Sequence, residues 1–179
     1  ARVSEPVDAF PTWFWDFDND GWLDIYVAGY RTNFGDIAAE YLGLPHQSEV
    51  PRLYRNRGDG SFEDVTVQQS LDRIQFAMGS NFGDLDNDGW LDIFVAGYRT
   101  NFGDIAAEYL GLSHDSELPR LYRNRGDGTF DEVSENVGLD RIQFSMGSNF
   151  GDLDNDGWLD FYVGTGDAYF QALMPNRMF

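Results

Sequence analysis

The chain has 179 residues, no cysteine, and 31 acids against 12 Lys and Arg, for a formal charge of −19. That balance excludes nucleic acid and anionic membranes as partners, since both need clustered Lys and Arg. The lack of cysteine excludes disulfides, thiolate metal sites and cysteine nucleophiles. The length allows one domain with a sizeable core, and 42% hydrophobic and 16% aromatic residues with 20 glycines fit a packed, turn-rich β protein. No apolar run reaches the roughly 18 residues of a membrane span, and the start at Ala1 carries no basic-then-apolar signal segment. A soluble, mature or trimmed chain is expected.

The first strongly patterned stretch is Asp16-Phe-Asp-Asn-Asp-Gly-Trp-Leu-Asp24, which returns as Asp84 to Asp92 and as Asp152 to Asp160. Four carboxylates at loop positions 1, 3, 5 and 9 repel one another strongly unless a cation lies among them. Calcium takes six to eight oxygens, and a tight loop offers them from alternate side chains plus one backbone carbonyl. The expected ligands are Asp16, Asp18, Asp20, the carbonyl of Trp22, and Asp24. The later copies give Asp84, Asp86, Asp88, Trp90 and Asp92, then Asp152, Asp154, Asp156, Trp158 and Asp160. About three calcium ions per chain are implied. Gly21, Gly89 and Gly157 fall where the loop must turn sharply. An acidic turn without metal is the plainer alternative.

An EF-hand begins the same way but needs a Glu at position 12 and flanking helices. Position 12 here is Val27, Val95 and Val163, inside Leu-Asp-Ile-Tyr-Val and its variants, which alternate as a strand does. The loop therefore joins two strands.

Next comes a long insert, 29–51, repeated as 97–119. Within it Asp36 to Gly43 offers a capping acid, a short apolar face and a stop glycine, so a helix of about two turns is expected. Tyr30, Phe34 and Tyr41, with Tyr98, Phe102 and Tyr109, are the candidates for a ligand surface there. His46 and His114 occupy equivalent places and read as exposed polar loop residues. Beyond the insert, Arg120 to Asn124 and Phe130 to Ser134 read as strands joined by a turn at Gly126-Asp127-Gly128. Phe76 to Phe82 and Leu91 to Ala96 are the strands on either side of the second acidic loop. Gly79 and Gly83 suit close backbone approach near a propeller axis.

Asp16, Asp84 and Asp152 stand 68 residues apart, and residues 16–83 and 84–151 are identical at about four positions in five. Such a period marks a repeat array, either recently amplified or deliberately constructed. Four antiparallel strands per repeat is the cue for a β-propeller blade. The fold is expected to be all-β, a single propeller domain over 1–179, with blades at 9–67, 76–135 and, incomplete, 144–179. Pro175 to Phe179 parallels Pro51 to Tyr54 as a third strand. Arg2 to Val7 looks like Glu132 to Val137, so residues 1–8 are expected to supply the strand that the last blade lacks. Three blades fall short of the usual ring of four to eight. A homodimer forming a six-bladed ring is therefore expected, a trimer less so.

The acidic loop followed by a strand and Val-Ala-Gly, and then Leu-Tyr-Arg-Asn-x-Gly-Asp-Gly-Thr-Phe, resembles the FG-GAP and VCBS repeats of β-propellers. It is most similar in look to bacterial relatives of cartilage acidic protein. The resemblance implies a calcium site in each blade and an extracellular or periplasmic scaffold, carbohydrate-binding or adhesion module with no common enzymatic activity. A lectin or adhesin acting through the inserts 29–51 and 97–119 on a glycan or protein is the alternative. Arg57-Gly58-Asp59 and Arg125-Gly126-Asp127 spell an adhesion tripeptide, but they lie in a hairpin turn whose backbone geometry asks for Gly and Asp. Every dense acid cluster belongs to a loop, so no carboxylate pair remains for glycoside chemistry and no catalytic residues are expected. The Trp residues at loop position 7 are expected to pack between blades.

Overall fold

The computed structural model describes residues 3–30, 33–97, 101–166 and 175–179. Among these, eleven strands form three antiparallel sheets. The first sheet is β1 (Ala9–Trp15), β2 (Asp24–Gly29), β3 (Arg52–Asn56) and β4 (Phe62–Asp64), with helix α1 (Phe34–Tyr41) between β2 and β3. The second repeats it as β5 (Ala77–Gly83), β6 (Asp92–Gly97), β7 (Arg120–Asn124) and β8 (Phe130–Glu132), with α2 (Phe102–Tyr109). The third holds β9 (Ser145–Gly151), β10 (Asp160–Thr165) and β11 (Arg177–Met178) in the order β11-β10-β9. The runs on either side of each acidic loop thus become the first two strands of each sheet. The chain folds as two compact units, Ala1–Ala77 with Asn124–Asp131, and Met78–Arg123 with Glu132–Phe179. No described helix is long and apolar enough to cross a membrane.

In the first unit, the acidic loop closes a hairpin in which Trp15 faces Asp24, Phe14 faces Ile25 and Trp13 faces Tyr26. Trp13 stacks on Tyr26 with ring centroids 4.5 Å apart. Trp15, Phe17, Tyr26, Leu53 and Tyr54 form a buried aromatic core. Phe130 packs on Trp15 and Phe17 at 6.1 and 6.5 Å, and the Asn124 side-chain amide donates to the Phe17 carbonyl at 2.9 Å. These contacts hold the hairpin 124–131 in this unit.

The helix is capped three residues before the expected cap. Asn33 is the N-cap and accepts the Gly35 N–H at 3.2 Å. Asp36 sits inside the first turn and instead accepts the Ser48 hydroxyl at 2.8 Å, tying the helix start to the returning chain. Gly43, at φ +66°, ends the helix as expected. Glu40 then accepts the Ile74 N–H at 2.7 Å, and in the second unit Glu108 accepts that of Ile142 at 2.9 Å. Each insert is therefore fastened to the segment leading into the next sheet.

Within this chain the N-terminal segment forms no strand over residues 3–8; Ala1 and Arg2 lie outside the described residues. Pro6 has no N–H to give a ladder. The Glu5 carbonyl accepts the Tyr54 hydroxyl at 2.9 Å, and the Glu5 carboxylate pairs with Arg52 at 2.9 Å. Of the stretch it resembles, only Glu132 is strand, and Ser134 onward is turn.

In the second unit β6 is buried along its length, and Phe94, Leu121, Leu139, Phe161 and Val163 form the core. A Cβ on Gly79 would lie 2.4 Å from the Gly147 Cα, so β5 and β9 meet backbone to backbone as the glycine pattern implied. Phe161 and Phe179 exchange backbone hydrogen bonds at 3.0 Å, at the register where Ile25 faces Tyr54 and Ile93 faces Tyr122. Phe179 therefore stands in the third strand, as the Pro175 to Phe179 parallel suggested. The rest of the third copy's shortened connection, 167–174, lies outside the described residues.

Candidate metal centre

Each acidic loop is built by its own carboxylates. The Asn at position 4 adopts a left-handed conformation, φ 54° at Asn19 and Asn87 and 64° at Asn155, and the Gly at position 6 has φ between 88° and 92°. This coil turns two backbone N–H groups toward the first aspartate. Asp16 accepts those of Asp20 and Gly21 at 3.0 and 2.9 Å, and Asp84 and Asp152 do the same in their loops. The fifth-position Asp20, Asp88 and Asp156 each accept the following Trp N–H at 2.9 Å. The ninth-position aspartate closes the loop: Asp24, Asp92 and Asp160 accept the N–H of Phe17, Leu85 and Leu153. Asp24 also accepts the Asn56 N–H at 2.7 Å, which couples the loop to β3.

The folded loops bring carboxylates together in threes. Oxygens of Asp16, Asp18 and Asp24 lie within 4.8 Å of one another, as do those of Asp84, Asp86 and Asp88 and of Asp152, Asp154 and Asp160. Asp20, Asp92 and Asp156, also expected as ligands, lie in the same loops but outside these triplets. One oxygen each of Asp18 and Asp86 is buried and accepts no hydrogen bond. A buried carboxylate oxygen without a donor is costly, and a cation among the triplet removes that cost. Burial pushes the Asp24 carboxyl up to about 6, against the pull of the Asn56 and Phe17 N–H groups. Burial also raises Asp18; Arg55 opposes the rise, and Asp20 and Asp16 add to it. An all-oxygen donor set of like charges fits a hard dication such as calcium.

Two basic residues that the sequence did not single out complete the picture. Arg55 on β3 pairs through Nε with Asp18 at 2.6 Å and through Nη2 with Asp20 at 3.2 Å. Arg123 on β7 repeats this with Asp86 at 2.5 Å and Asp88 at 3.4 Å. The signal was the Arg of the recurrent Leu-Tyr-Arg-Asn, which the strand alternation sets on the face opposite the buried Tyr.

The remaining candidates fall differently from expectation. Trp22 and Trp158 are about half exposed, and Trp90, on the middle blade, is half-buried. The Trp22 indole lies over Gly58 of the adjoining hairpin, where an added Cβ would come within 2.8 Å of it. Tyr30 packs against Phe10 and Phe76, with centroids 6.3 and 4.8 Å away, whereas Tyr41 and Tyr109 are strongly exposed. Tyr98 and the side chains of Phe34 and Phe102 lie outside the described residues. His46 and His114 are half-buried rather than exposed, and Nδ1 of each is without a hydrogen-bond partner. The Arg57-Gly58-Asp59 turn is closed by its own bonds: Asp59 accepts the Ser61 N–H at 2.9 Å, and Asn56 accepts that of Gly58 at 3.0 Å.

A family model described as FG-GAP-like repeat matches residues 16–95 and 103–163. Comparison with the curated proteins finds no match.

Proposed function

The chain belongs to the FG-GAP-like repeat family, and from that premise we propose that it is a calcium-binding β-propeller module without enzymatic activity. It is a scaffold whose ring closes when two copies assemble. The orphaned buried oxygens of Asp18 and Asp86 carry the calcium reading, because each lies in a carboxylate triplet with no donor of its own. Asp16, Asp18 and Asp24, then Asp84, Asp86 and Asp88, then Asp152, Asp154 and Asp160 would hold the ions, and Asp20, Asp92 and Asp156 lie within the same loops to complete the shell. A bound dication neutralises the loop and thereby ties the first two strands of each blade. Calcium sites of this kind suit an extracellular or periplasmic setting, where the ion is millimolar.

Three sheets per chain give six in a homodimer, within the usual propeller range, whereas a trimer would need nine. Isothermal titration with calcium and sedimentation of the calcium-loaded chain test the two parts. Near three ions per chain and twice the chain mass are expected; no heat of binding would overturn the first part, and a stable monomer the second.

The exposed Tyr41 and Tyr109, at equivalent places on the two inserts, favour a second role as a glycan- or protein-binding adhesin. A glycan array probed with the wild type and with Y41S/Y109S tests it. Binding lost in the double variant is expected, and binding equal in both would overturn it.

A further inference from the structure

The 68-residue period makes each blade a copy of the others, so a joint seen between two blades shows which residues would meet at a joint the chain leaves open. Within the second unit, β5 and β6 of the second blade lie against β9 and β10 of the third. Four features make this joint. Asn81 and Asn87 donate their side-chain amides to the carbonyls of Ser148 and Gly157, at 3.2 and 2.8 Å. Phe94 packs on Phe161 with centroids 5.0 Å apart. Gly83 leaves room for Phe150 and Leu159, and Gly79 meets the Gly147 backbone.

The third blade carries the donor half of the same joint, and its residues are exposed among the described ones. Asn149 and Asn155 stand one period after Asn81 and Asn87, and both are exposed. Asn149 even repeats the local pose, its Oδ1 accepting the Phe150 N–H as Asn81 accepts that of Phe82. Tyr162, the counterpart of Phe94, is 39% exposed where Phe94 is 0%. Leu153, the counterpart of Phe17, is 63% exposed where Phe17 is 2%.

The first blade carries the acceptor half. Phe14 and Leu23 are the counterparts of Phe150 and Leu159, and both are more than half exposed. The carbonyls of Thr12 and Gly21 stand two periods before those of Ser148 and Gly157.

We infer that the third blade's face, centred on Gly147, Leu153 and Tyr162, docks onto the first blade's face, centred on Pro11, Phe14 and Leu23, of a second copy of this chain. Two such joints are equivalent by a two-fold axis and close the ring. The inference rests on the homodimer reading above and specifies its contact surface. Asn149 and Asn155 donate to the partner's Thr12 and Gly21 carbonyls, and Gly147 takes the place that Gly79 holds within the chain. A Cβ on Gly147 would meet nothing within 4 Å here, so an alanine is harmless to the single chain. In the ring it would strike the partner's backbone as a Cβ on Gly79 strikes that of Gly147.

The experiment is sedimentation velocity on the calcium-loaded full chain, comparing wild type, Gly147→Ala, Leu153→Asp and, as a control for exposed apolar residues elsewhere, Tyr109→Asp. Expected is a wild-type dimer, a dissociation constant raised at least about a hundred-fold in the first two variants, and an unchanged dimer in the third. The urea midpoint of each variant, read at concentrations where all are monomeric, should match wild type. A wild-type dimer that persists in both Gly147→Ala and Leu153→Asp overturns this joint while the homodimer stands. A wild-type monomer overturns both.

Discussion

Arg55 grips one oxygen of Asp18, Nε to Oδ2 at 2.6 Å, while the other oxygen of that carboxylate is buried and accepts nothing. The guanidinium therefore neutralises the loop from one side and leaves the other open to a cation. Arg123 stands in the same relation to Asp86. Since both arginines are about half exposed, each pairing contributes no more than about 1 kcal/mol. Arg55→Ala and Arg123→Ala should lower stability by about that amount in EDTA. In saturating calcium the effect should shrink, because the ion takes over the neutralisation. Urea unfolding under the two conditions measures the difference.

Aspartates one and three of a loop should differ in what their loss costs without the ion. Asp84 accepts two exposed backbone N–H groups, so Asp84→Ala should cost about 1 kcal/mol in EDTA and the calcium stabilisation of its loop besides. Asp86 has one orphaned buried oxygen and one paired with Arg123, so Asp86→Asn should cost no more than about 1 kcal/mol in EDTA, yet it should abolish the calcium stabilisation of its loop. Both variants should lose the calcium stabilisation of the loop, and parallel melts with and without calcium separate the carboxylate that also shapes the loop from the one that serves the ion alone.

The response to pH should change sign with calcium. Asp24 has a folded-state pKa of about 6, above its ordinary 3.8, so between these values the folded chain binds more protons than the unfolded one. The metal-free protein should then gain stability as pH falls from 7 to 5. Asp36, Asp59 and Asp127 are held below their ordinary value by hydrogen bonds from Ser48, Ser61 and Thr129, so their contribution is lost only at lower pH. With calcium bound, protons compete with the ion for Asp24, and the same acidification should destabilise. Thermal melts at pH 5, 6 and 7 in EDTA and in calcium check both slopes.

Much of this was readable from the chain because the repeat fixes it three times over. Arg120 to Asn124 is the strand that its alternation announced, and Gly79 touches backbone as a glycine in that place should. What escaped depended on side chains meeting across sequence. The sequence pointed to Asp36 as the cap, whereas Asn33 caps the helix and Ser48 engages Asp36 from the returning chain. The grip of Arg55 on Asp18 spans 37 residues and exists only because β3 pairs with β2 beside the loop. Trp22 looked like a core residue by type, yet it lies half exposed over Gly58, which no pattern of hydrophobicity announces.

Removing the metal should reveal how much the loops depend on it. For a dissociation constant of roughly 10⁻⁴ M, millimolar calcium stabilises the fold by about 1.4 kcal/mol per site and by about 4 kcal/mol over three. For a chain of this size that corresponds to a fall in melting temperature of roughly 10 °C on chelation. Calorimetry with a calcium series should show a midpoint that rises with the logarithm of free calcium. Because Asp152, Asp154 and Asp160 have no arginine partner among the described residues, the third loop should depend most on the ion. Hydrogen exchange in EDTA should then show the N–H groups of Asp156 and Gly157 losing protection before those of Asp20 and Gly21. Equal protection in all three loops would mean that the arginines have no part in holding the first two.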